Sequence, residues 1–223
     1  MESATSRKTA LIIIDVQNGF LHPTHWGTSR STPDCERNIY RLLVAARRHN
    51  AKLQTTQEPV DKSVLICHVH HHSINSGSAL HPQKKIEVGG QLVASVDPQA
   101  EMIPLKDESV WVKNVNSAFI GTGLEAFLRQ QQVRQLVICG LTTDHCVSTS
   151  TRMANNLRIV DITSGDGDVV EEGGIVLVGD ACATYAKGGF DAETVHKVSL
   201  ASLNEEFAHV VASSEVMDKI FAI

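Results

Sequence analysis

The fold is decided by the stretch LVICGLTTDHCV, residues 136–147. Its first four residues are all apolar, which is typical of a strand buried on both faces of a sheet. A short turn then leads into residues 146–157, where apolar residues recur at helical spacing. We therefore predict a buried strand followed directly by a helix, with Cys146 at the junction.

The same pairing of a short apolar run with a helical pattern recurs along the chain. Runs rich in β-branched residues predict strands at residues 10–14, 64–69, 110–112, 136–139, 175–178 and 208–212. Helical periodicity predicts helices at residues 38–50, 122–131, 146–157 and 192–203. Alternating strands and helices predict an α/β fold with a largely parallel sheet.

Composition narrows the class of protein. The chain has 223 residues, 42% of them hydrophobic, and no linker divides it, so we expect one domain over residues 1–223. The 20 basic and 25 acidic side chains give a net charge of −5, which disfavours a nucleic-acid partner. No apolar run approaches the length of a membrane span, and the five cysteines form no CxxC pair. We therefore expect a cytoplasmic protein with reduced thiols and no membrane partner.

One segment departs from the alternating pattern. Residues 163–174, TSGDGDVVEEGG, are polar, acidic and rich in glycine, and they follow residues 158–162, which we interpret as a strand. We predict an exposed loop that joins two extended segments, as in a hairpin. Neither GxxxxGK[ST] nor a GxGxxG that opens a helix occurs in the sequence, so we expect no nucleotide and no other cofactor.

Three residues with reactive side chains follow predicted strands. Asp15 ends the first run, Lys113 ends the third, and Cys146 follows the fourth by a short turn. Functional side chains gather at the carboxyl ends of parallel strands, so these three can form one nucleophile site. A nearby ammonium stabilises a thiolate, and a carboxylate can accept the thiol proton. Spacing alone leaves another interpretation open, in which Cys146 is a core thiol, Asp15 a helix cap and Lys113 a surface residue.

Longer blocks of sequence surround these residues. They are DVQNGFL at residues 15–21, VKNVNSAFIGTGLEAFLR at residues 112–129 and GLTTDHCVSTSTRMANNL at residues 140–157, with a weaker block, DACATY, at residues 180–185. Their order and separation resemble the signature blocks of the isochorismatase-like cysteine hydrolase superfamily. The resemblance implies a three-layer α/β/α fold whose six-stranded, mostly parallel sheet has the strand order 3-2-1-4-5-6.

The resemblance also implies a role for each of these residues. Asp15 acts as general base and acid, Lys113 stabilises the thiolate and orients the site, and Cys146 is the nucleophile. A cis peptide between Leu141 and Thr142 precedes the nucleophile, and the backbone N–H groups of Thr142 and Cys146 form an oxyanion hole. The implied reaction is hydrolysis of the C–N bond of a small amide through a thioester. The resemblance further implies a small-molecule substrate and a homo-oligomer, either a dimer or a tetramer.

Two other functions stay open at this point. Relatives that cleave the vinyl ether of isochorismate often lack the cysteine, because an enol ether needs an acid and no nucleophile. The presence of Cys146 favours an amidohydrolase, and the alternative is an isochorismate hydrolase that uses Asp15 as its acid. A third interpretation, a non-catalytic binding module, is disfavoured by an intact charge pair beside a thiol.

The histidine-rich run CHVHHHS, residues 67–73, is the strongest signal for a metal. In the nicotinamidase branch of that superfamily, a metal is held by an Asp-x-His motif and a further histidine, which follow the strand that corresponds to residues 64–69. Here His68 occupies the approximate place of the aspartate, and no carboxylate follows it until Glu87. We therefore predict no metal site, and we expect His70 and His71 to line the substrate pocket.

Loops that leave the same edge of the sheet supply the remaining candidates for the substrate pocket. They are Gln17, Phe20, Trp26, Phe119 and Thr143. The alternative is that Phe20 and Phe119 pack in the core, while Gln17 and Thr143 stabilise their turns.

Overall fold

The computed structural model describes residues 1–56 and 62–222, and strands alternate with helices along them. The strands are β1 Thr9–Ile14, β2 Leu65–His71, β3 Lys85–Val88, β4 Gln91–Ala94, β5 Ser109–Lys113, β6 Gln135–Leu141, β7 Ile162–Thr163, β8 Val169–Glu171, β9 Gly174–Ala183 and β10 His209–Val211. The helices are α1 Cys35–Thr56, α2 Leu124–Gln130, α3 Ser148–Asn156, α4 Ala192–Ala201 and α5 Ser213–Lys219. Within the described ranges, no helix has the length and apolar content that a membrane span requires.

The main sheet of the described chain has six strands in the order β10-β9-β6-β1-β2-β5, and every neighbouring pair is parallel. Numbered along the chain, these strands follow the order 3-2-1-4-5-6, which confirms the predicted fold class. The order reverses between β1 and β6. Ligands bind such sheets in the crevice outside the carboxyl ends of the strands at this reversal.

Alternate residues of β1 pack on opposite faces of the sheet and so define three layers. Leu11 and Ile13 belong to the core formed with helices α1 and α5. Ile12 and Ile14 belong to the core formed with helices α2, α3 and α4. Full burial of each large aliphatic side chain stabilises the fold by about 1.5–3 kcal/mol, so the central strands are the most strongly held part of the sheet.

Burial depends on position in the sheet. Every residue of β1 and β6 is buried, as their continuous apolar runs predict. The prediction of burial on both faces is wrong for the edge strands β5 and β10, where Val110 and Val112 of β5 are about half exposed. An edge strand lies at the rim of the helical layers, so the layers do not cover it completely.

Several boundaries differ from the prediction. Helix α1 extends beyond residues 38–50 at both ends, and the predicted helix 146–157 begins as a π-helical turn, Thr143–Val147, which α3 continues. The strand predicted at residues 158–162 is wrong. The chain turns there, with Arg158 at a φ of 50°, before β7 and β8 form a short antiparallel hairpin.

Helix α5, strand β8 and the antiparallel hairpin of β3 and β4 are absent from the prediction. The sequence carried a signal for the hairpin. Gly89 and Gly90 separate its strands, and both have positive φ, as a two-residue hairpin turn requires.

Candidate active site

Asp15 is the first residue after β1, and it adopts a left-handed conformation with a φ of 55°. Its N–H donates to the Val69 carbonyl at 2.8 Å, and its carbonyl accepts from the Gln17 N–H at 2.9 Å. Aspartate tolerates this conformation better than most residues. The bend places a fully buried carboxylate at the carboxyl end of the central strand.

Gly140 allows β6 to approach β1 closely next to this bend. It pairs with Ile14, and a Cβ on Gly140 would lie 2.1 Å from the Ile14 carbonyl oxygen. The φ of 128° at Gly140 also favours glycine. This close approach brings the end of β6, and therefore Cys146, near Asp15.

Four neighbouring strands each supply one residue to the site. Cys146 follows β6, Asp15 follows β1, His71 ends β2 and Lys113 ends β5. Lys113 Nζ lies 2.8 Å from Asp15 Oδ2 and 3.0 Å from His71 Nδ1. It also lies 3.2 Å from Cys146 Sγ. The structure therefore brings the three residues chosen from the sequence into one cluster, together with His71.

The charges of this cluster are removed from water. The side chains of Lys113 and Asp15 are fully buried, and a further Lys113 N–H donates to the Val115 carbonyl at 3.2 Å. Asp15 Oδ2 accepts from the ammonium, whereas Oδ1 is buried and has no hydrogen-bond partner among the described residues. A carboxylate oxygen of Asp15 lies within 4.8 Å of Cys146 Sγ. Asp15 therefore places a carboxylate oxygen close to the thiol.

The surroundings of Cys146 favour the protonated thiol over the thiolate. Burial raises the pKa of the thiol above its usual value, the Asp15 carboxylate raises it further, and the Lys113 ammonium lowers it. The ammonium alone does not outweigh the other two effects. The Asp15 carboxylate lies within reach of this thiol as a proton acceptor.

The turn that carries Cys146 follows a cis peptide bond between Leu141 and Thr142. The Thr142 carbonyl accepts from the N–H groups of His145, at 3.1 Å, and Val147, at 3.2 Å. Thr142 and Cys146 thus belong to one tight turn. The assignment of their N–H groups to an oxyanion hole stays a prediction.

Neighbouring residues of the same turn anchor it to the fold. The Thr143 hydroxyl is fully buried and lies 2.8 Å from His196 Nδ1 of helix α4. The Asp144 carboxylate accepts from the Thr184 hydroxyl and the Lys187 ammonium. The Thr143 side chain is therefore bonded within the protein, and its role in substrate binding stays a prediction.

Gln17 also has a supporting position rather than a place in a pocket. Its side chain is fully buried, and its Oε1 accepts from the His71 N–H at 2.8 Å. Its Nε2 donates to the carbonyls of Val96, at 2.7 Å, and His71, at 3.1 Å. No polar atom of Gln17 remains free for a substrate, because each is bonded to the backbone.

The predicted aromatic residues lie in two separate places. Phe20 stacks on Trp26 with ring centroids 4.6 Å apart, and Trp26 stacks in turn on Tyr185. Phe20 belongs to the core on the α1 side, whereas Phe119 is buried in the core that contains Cys146. Both phenylalanines therefore pack in the core, which is the alternative left open from the sequence, and Trp26 remains partly exposed.

The histidine run is divided between the two faces of β2. His71 points to the site, whereas His70 is buried on the opposite face beside His68, with ring centroids 6.4 Å apart. His68 Nε2 lies 2.8 Å from Glu108 Oε2, and Glu108 also pairs with Arg47. The expectation that His70 lines the pocket with His71 is wrong, because adjacent residues of a strand face opposite ways.

Donor atoms suited to a metal do meet in the site. Asp15, His71 and Cys146 place a carboxylate oxygen, an imidazole nitrogen and a sulfur within 4.8 Å of one another. Lys113 Nζ, however, lies within 3.2 Å of all three side chains. The ammonium therefore fills the position where a cation would bind.

Asn116, which was not predicted from the sequence, also lies beside the thiol. This residue is exposed, and its Oδ1 lies 3.9 Å from the sulfur of Cys146, the residue that matches the nucleophile of the superfamily. The sequence could have pointed to Asn116, because it lies three residues after Lys113 in the loop that follows the same strand.

Comparison with known proteins gives this cluster a family. Residues 9–215 match the isochorismatase domain. The chain belongs to the isochorismatase family. It is 33% identical to the isochorismatase family protein YrdC of Bacillus subtilis strain 168, over 95% of each chain. It is 26% identical to the ureidoacrylate amidohydrolase RutB of Pantoea ananatis, over 97% of this chain and 83% of the relative. A crystal structure of an isochorismatase-family protein from Chromobacterium violaceum superimposes with a TM-score of 0.73 and 28% identity, covering 98% of this chain and 95% of that one.

These matches confirm the superfamily inferred from the signature blocks, and they identify the chain as a hydrolase of the isochorismatase family. The matched region includes each of the four strand ends that form the site.

Proposed function

We propose that this hydrolase is a cysteine amidohydrolase that cleaves the C–N bond of a small amide through a thioester. The observation that carries the proposal is the contact of one ammonium, Lys113 Nζ, with Asp15 Oδ2 at 2.8 Å and Cys146 Sγ at 3.2 Å. A thiol, a base and a cation in one buried cluster are the groups that acyl transfer to sulfur requires.

In the first step Asp15 takes the proton of the Cys146 thiol as Sγ attacks the amide carbonyl carbon. A C–S bond forms, and the electron pair of the carbonyl moves onto its oxygen. The Lys113 ammonium faces the sulfur while it carries negative charge. The N–H groups of Thr142 and Cys146 are the proposed donors to the oxyanion.

In the second step the C–N bond breaks as the carbonyl forms again. The protonated Asp15 gives its proton to the departing nitrogen, so an amine or ammonia leaves and a thioester remains on Cys146. Asp15 then takes a proton from water, which attacks the thioester carbonyl. The C–S bond breaks, the proton returns to sulfur, and a carboxylic acid is released.

The raised pKa of Cys146 supports this sequence of steps. Burial and the Asp15 charge raise the pKa of the thiol, which favours transfer of its proton to a base as the sulfur attacks. A mechanism that only protonates an enol ether would not use the sulfur at all. The name of the Pantoea relative makes ureides and other small amides the first substrates to test.

The test is mass spectrometry of the whole protein and of its peptides after incubation with small amides, ureides and nicotinamide. We expect an acyl adduct on Cys146 together with release of the amine or ammonia. Cys146→Ala should abolish both. Cys35→Ala is the matched control, because it removes a buried thiol from the opposite core.

A second assay separates the proposal from its alternative. Pyruvate release from isochorismate that persists in Cys146→Ala but is lost in Asp15→Asn would overturn the amidohydrolase proposal. That result would assign vinyl ether cleavage with Asp15 as the acid.

A further inference from the structure

The Lys113 ammonium has three N–H groups and four neighbouring acceptors. The acceptors are Asp15 Oδ2 at 2.8 Å, His71 Nδ1 at 3.0 Å, Val115 O at 3.2 Å and Cys146 Sγ at 3.2 Å. Because the side chain is fully buried, these groups rather than water set its orientation. The two nearest acceptors, on Asp15 and His71, therefore control how the ammonium faces the sulfur.

His71 is placed to hold the lysine as it crosses the sheet. The two residues are partners in the register of β2 and β5, and β2 lies between β5 and β1. Lys113 therefore passes His71 to reach Asp15 and Cys146. An ammonium can only donate, so Nδ1 of His71 accepts, and the neutral ring carries its proton on Nε2. Burial and then the Lys113 charge lower the pKa of His71, against a smaller opposing effect of Asp15, which keeps the ring neutral.

His71 is itself held in place. The Gln17 side chain accepts from the His71 N–H at 2.8 Å and donates to its carbonyl at 3.1 Å. Gln17 also donates to the Val96 carbonyl at 2.7 Å. A buried side chain thus fixes the backbone of the residue that accepts from the catalytic ammonium.

We propose that His71 is a positioning residue, whose Nδ1 fixes the Lys113 ammonium between Asp15 and Cys146 so that it stabilises the sulfur anion. This inference rests on the proposed function for its role in turnover. The part of the inference that says His71 controls the orientation of the Lys113 ammonium can be tested without a substrate.

Two substitutions separate the acceptor from the shape of the ring. His71→Phe keeps an aromatic ring but removes one of the two nearest acceptors of Lys113, so the Asp15 carboxylate, the nearest acceptor that remains, draws the ammonium away from the sulfur. His71→Asn places an acceptor near the position of Nδ1 and restores the hydrogen bond. Hydrogen bonds to charged groups are among the stronger ones in proteins, and the loss of this bond should be easily measured.

The experiment measures alkylation of Cys146 by iodoacetamide at one fixed, mildly alkaline pH, with the adduct located by mass spectrometry. We expect His71→Phe to slow alkylation about tenfold or more, because a displaced ammonium stabilises less thiolate. His71→Asn should stay within about threefold of the unmodified protein. His209→Phe, at an exposed position on β10, is the matched control and should change nothing.

A failure of this inference can be distinguished from a failure of the proposed function. Unchanged alkylation in His71→Phe, or an equal loss in His71→Asn and His71→Phe, would overturn the inference. If His71→Phe does not fold, His71→Leu removes the acceptor with less bulk and takes its place. Where an amide substrate is found, kcat should fall with His71→Phe while KM changes little. If no amide is hydrolysed, the proposed function fails and the alkylation result still decides the role of His71.

Discussion

Asp15 and Lys113 form an ion pair of 2.8 Å in which both side chains are fully buried, although 98 residues separate them in the chain. The pair joins the end of β1 to the end of β5 across the intervening strand β2. Removal of two charges from water is costly, so such a pair depends strongly on the presence of both partners. The same contact therefore supports the fold and lies in the proposed active site.

Lys113→Met should destabilise the protein by about 3–5 kcal/mol, because it leaves the Asp15 carboxylate buried without a counter-charge. The double variant Asp15→Asn/Lys113→Met should recover part of this loss, since no charge then remains to be compensated. Urea denaturation gives the free energy of unfolding for each protein. If the double variant loses as much free energy of unfolding as Asp15→Asn and Lys113→Met lose together, the two residues are not coupled.

Asp15→Asn should make Cys146 more reactive toward iodoacetamide and yet abolish turnover. The Asp15 charge raises the pKa of the Cys146 thiol, so its removal lowers that pKa and increases the thiolate fraction. Turnover should fall at least about a hundredfold, because the variant lacks the base and acid. Rates of alkylation and of amide hydrolysis, measured on the same samples, test both parts. Slower alkylation in Asp15→Asn would contradict the assigned electrostatics.

The reactive residues could be predicted because each follows an apolar run that ends at the same edge of a parallel sheet. This rule selects Asp15, Lys113 and Cys146 as candidates, and the resemblance of the surrounding blocks implies their roles, which spacing alone leaves open. The fold class followed in the same way from the alternation of strands and helices. Gly140 is the first residue of the signature block at residues 140–157, but only the structure shows why a side chain does not fit there.

The histidines and the state of the thiol could not be predicted in this way. Alternation places His70 and His71 on opposite faces, but which face holds the site depends on how helices cover the sheet. The resemblance implies that Lys113 stabilises a Cys146 thiolate, but it does not say how far the thiol is ionised at rest. The balance between thiol and thiolate depends on how deeply the side chain is buried, and burial is a property of the packed structure.

Gly140→Ala should disrupt the site through the backbone. The added Cβ would lie 2.1 Å from the Ile14 carbonyl oxygen, and the φ of 128° is unfavourable for alanine. We expect a loss of more than about 3 kcal/mol in the free energy of unfolding, or no folded protein. Gly165→Ala is the matched control, because its Cβ meets no atom within 4 Å. That variant should change stability by less than about 0.5 kcal/mol. A tolerated Gly140→Ala would mean that β1 and β6 can separate without unfolding.

A second buried charge network should make stability depend on acid pH. The side chain of Glu108 is 4% exposed, and its carboxylate accepts from Arg47 at 2.7 Å and lies 2.8 Å from His68 Nε2. Burial alone would raise the pKa of Glu108, but hydrogen bonds from Arg47 and His68 outweigh it and lower the pKa to about 2. A carboxyl group with a lowered pKa in the folded state stabilises the protein above its unfolded pKa of 4.5, and this stabilisation is lost as the pH falls toward 2.

Glu108→Gln should therefore be less stable than the unmodified protein at neutral pH, by on the order of 2 kcal/mol after allowance for screening by solvent. The difference should stay constant above about pH 5 and shrink steadily toward about pH 2, where the carboxyl group takes up a proton in both the folded and the unfolded state. Urea denaturation at a series of pH values measures this difference directly. Glu101→Gln, at an exposed position, serves as the control and should show no such convergence. A gap between Glu108→Gln and the unmodified protein that persists at low pH would mean that Glu108 contributes through the shape of its contacts rather than through its charge.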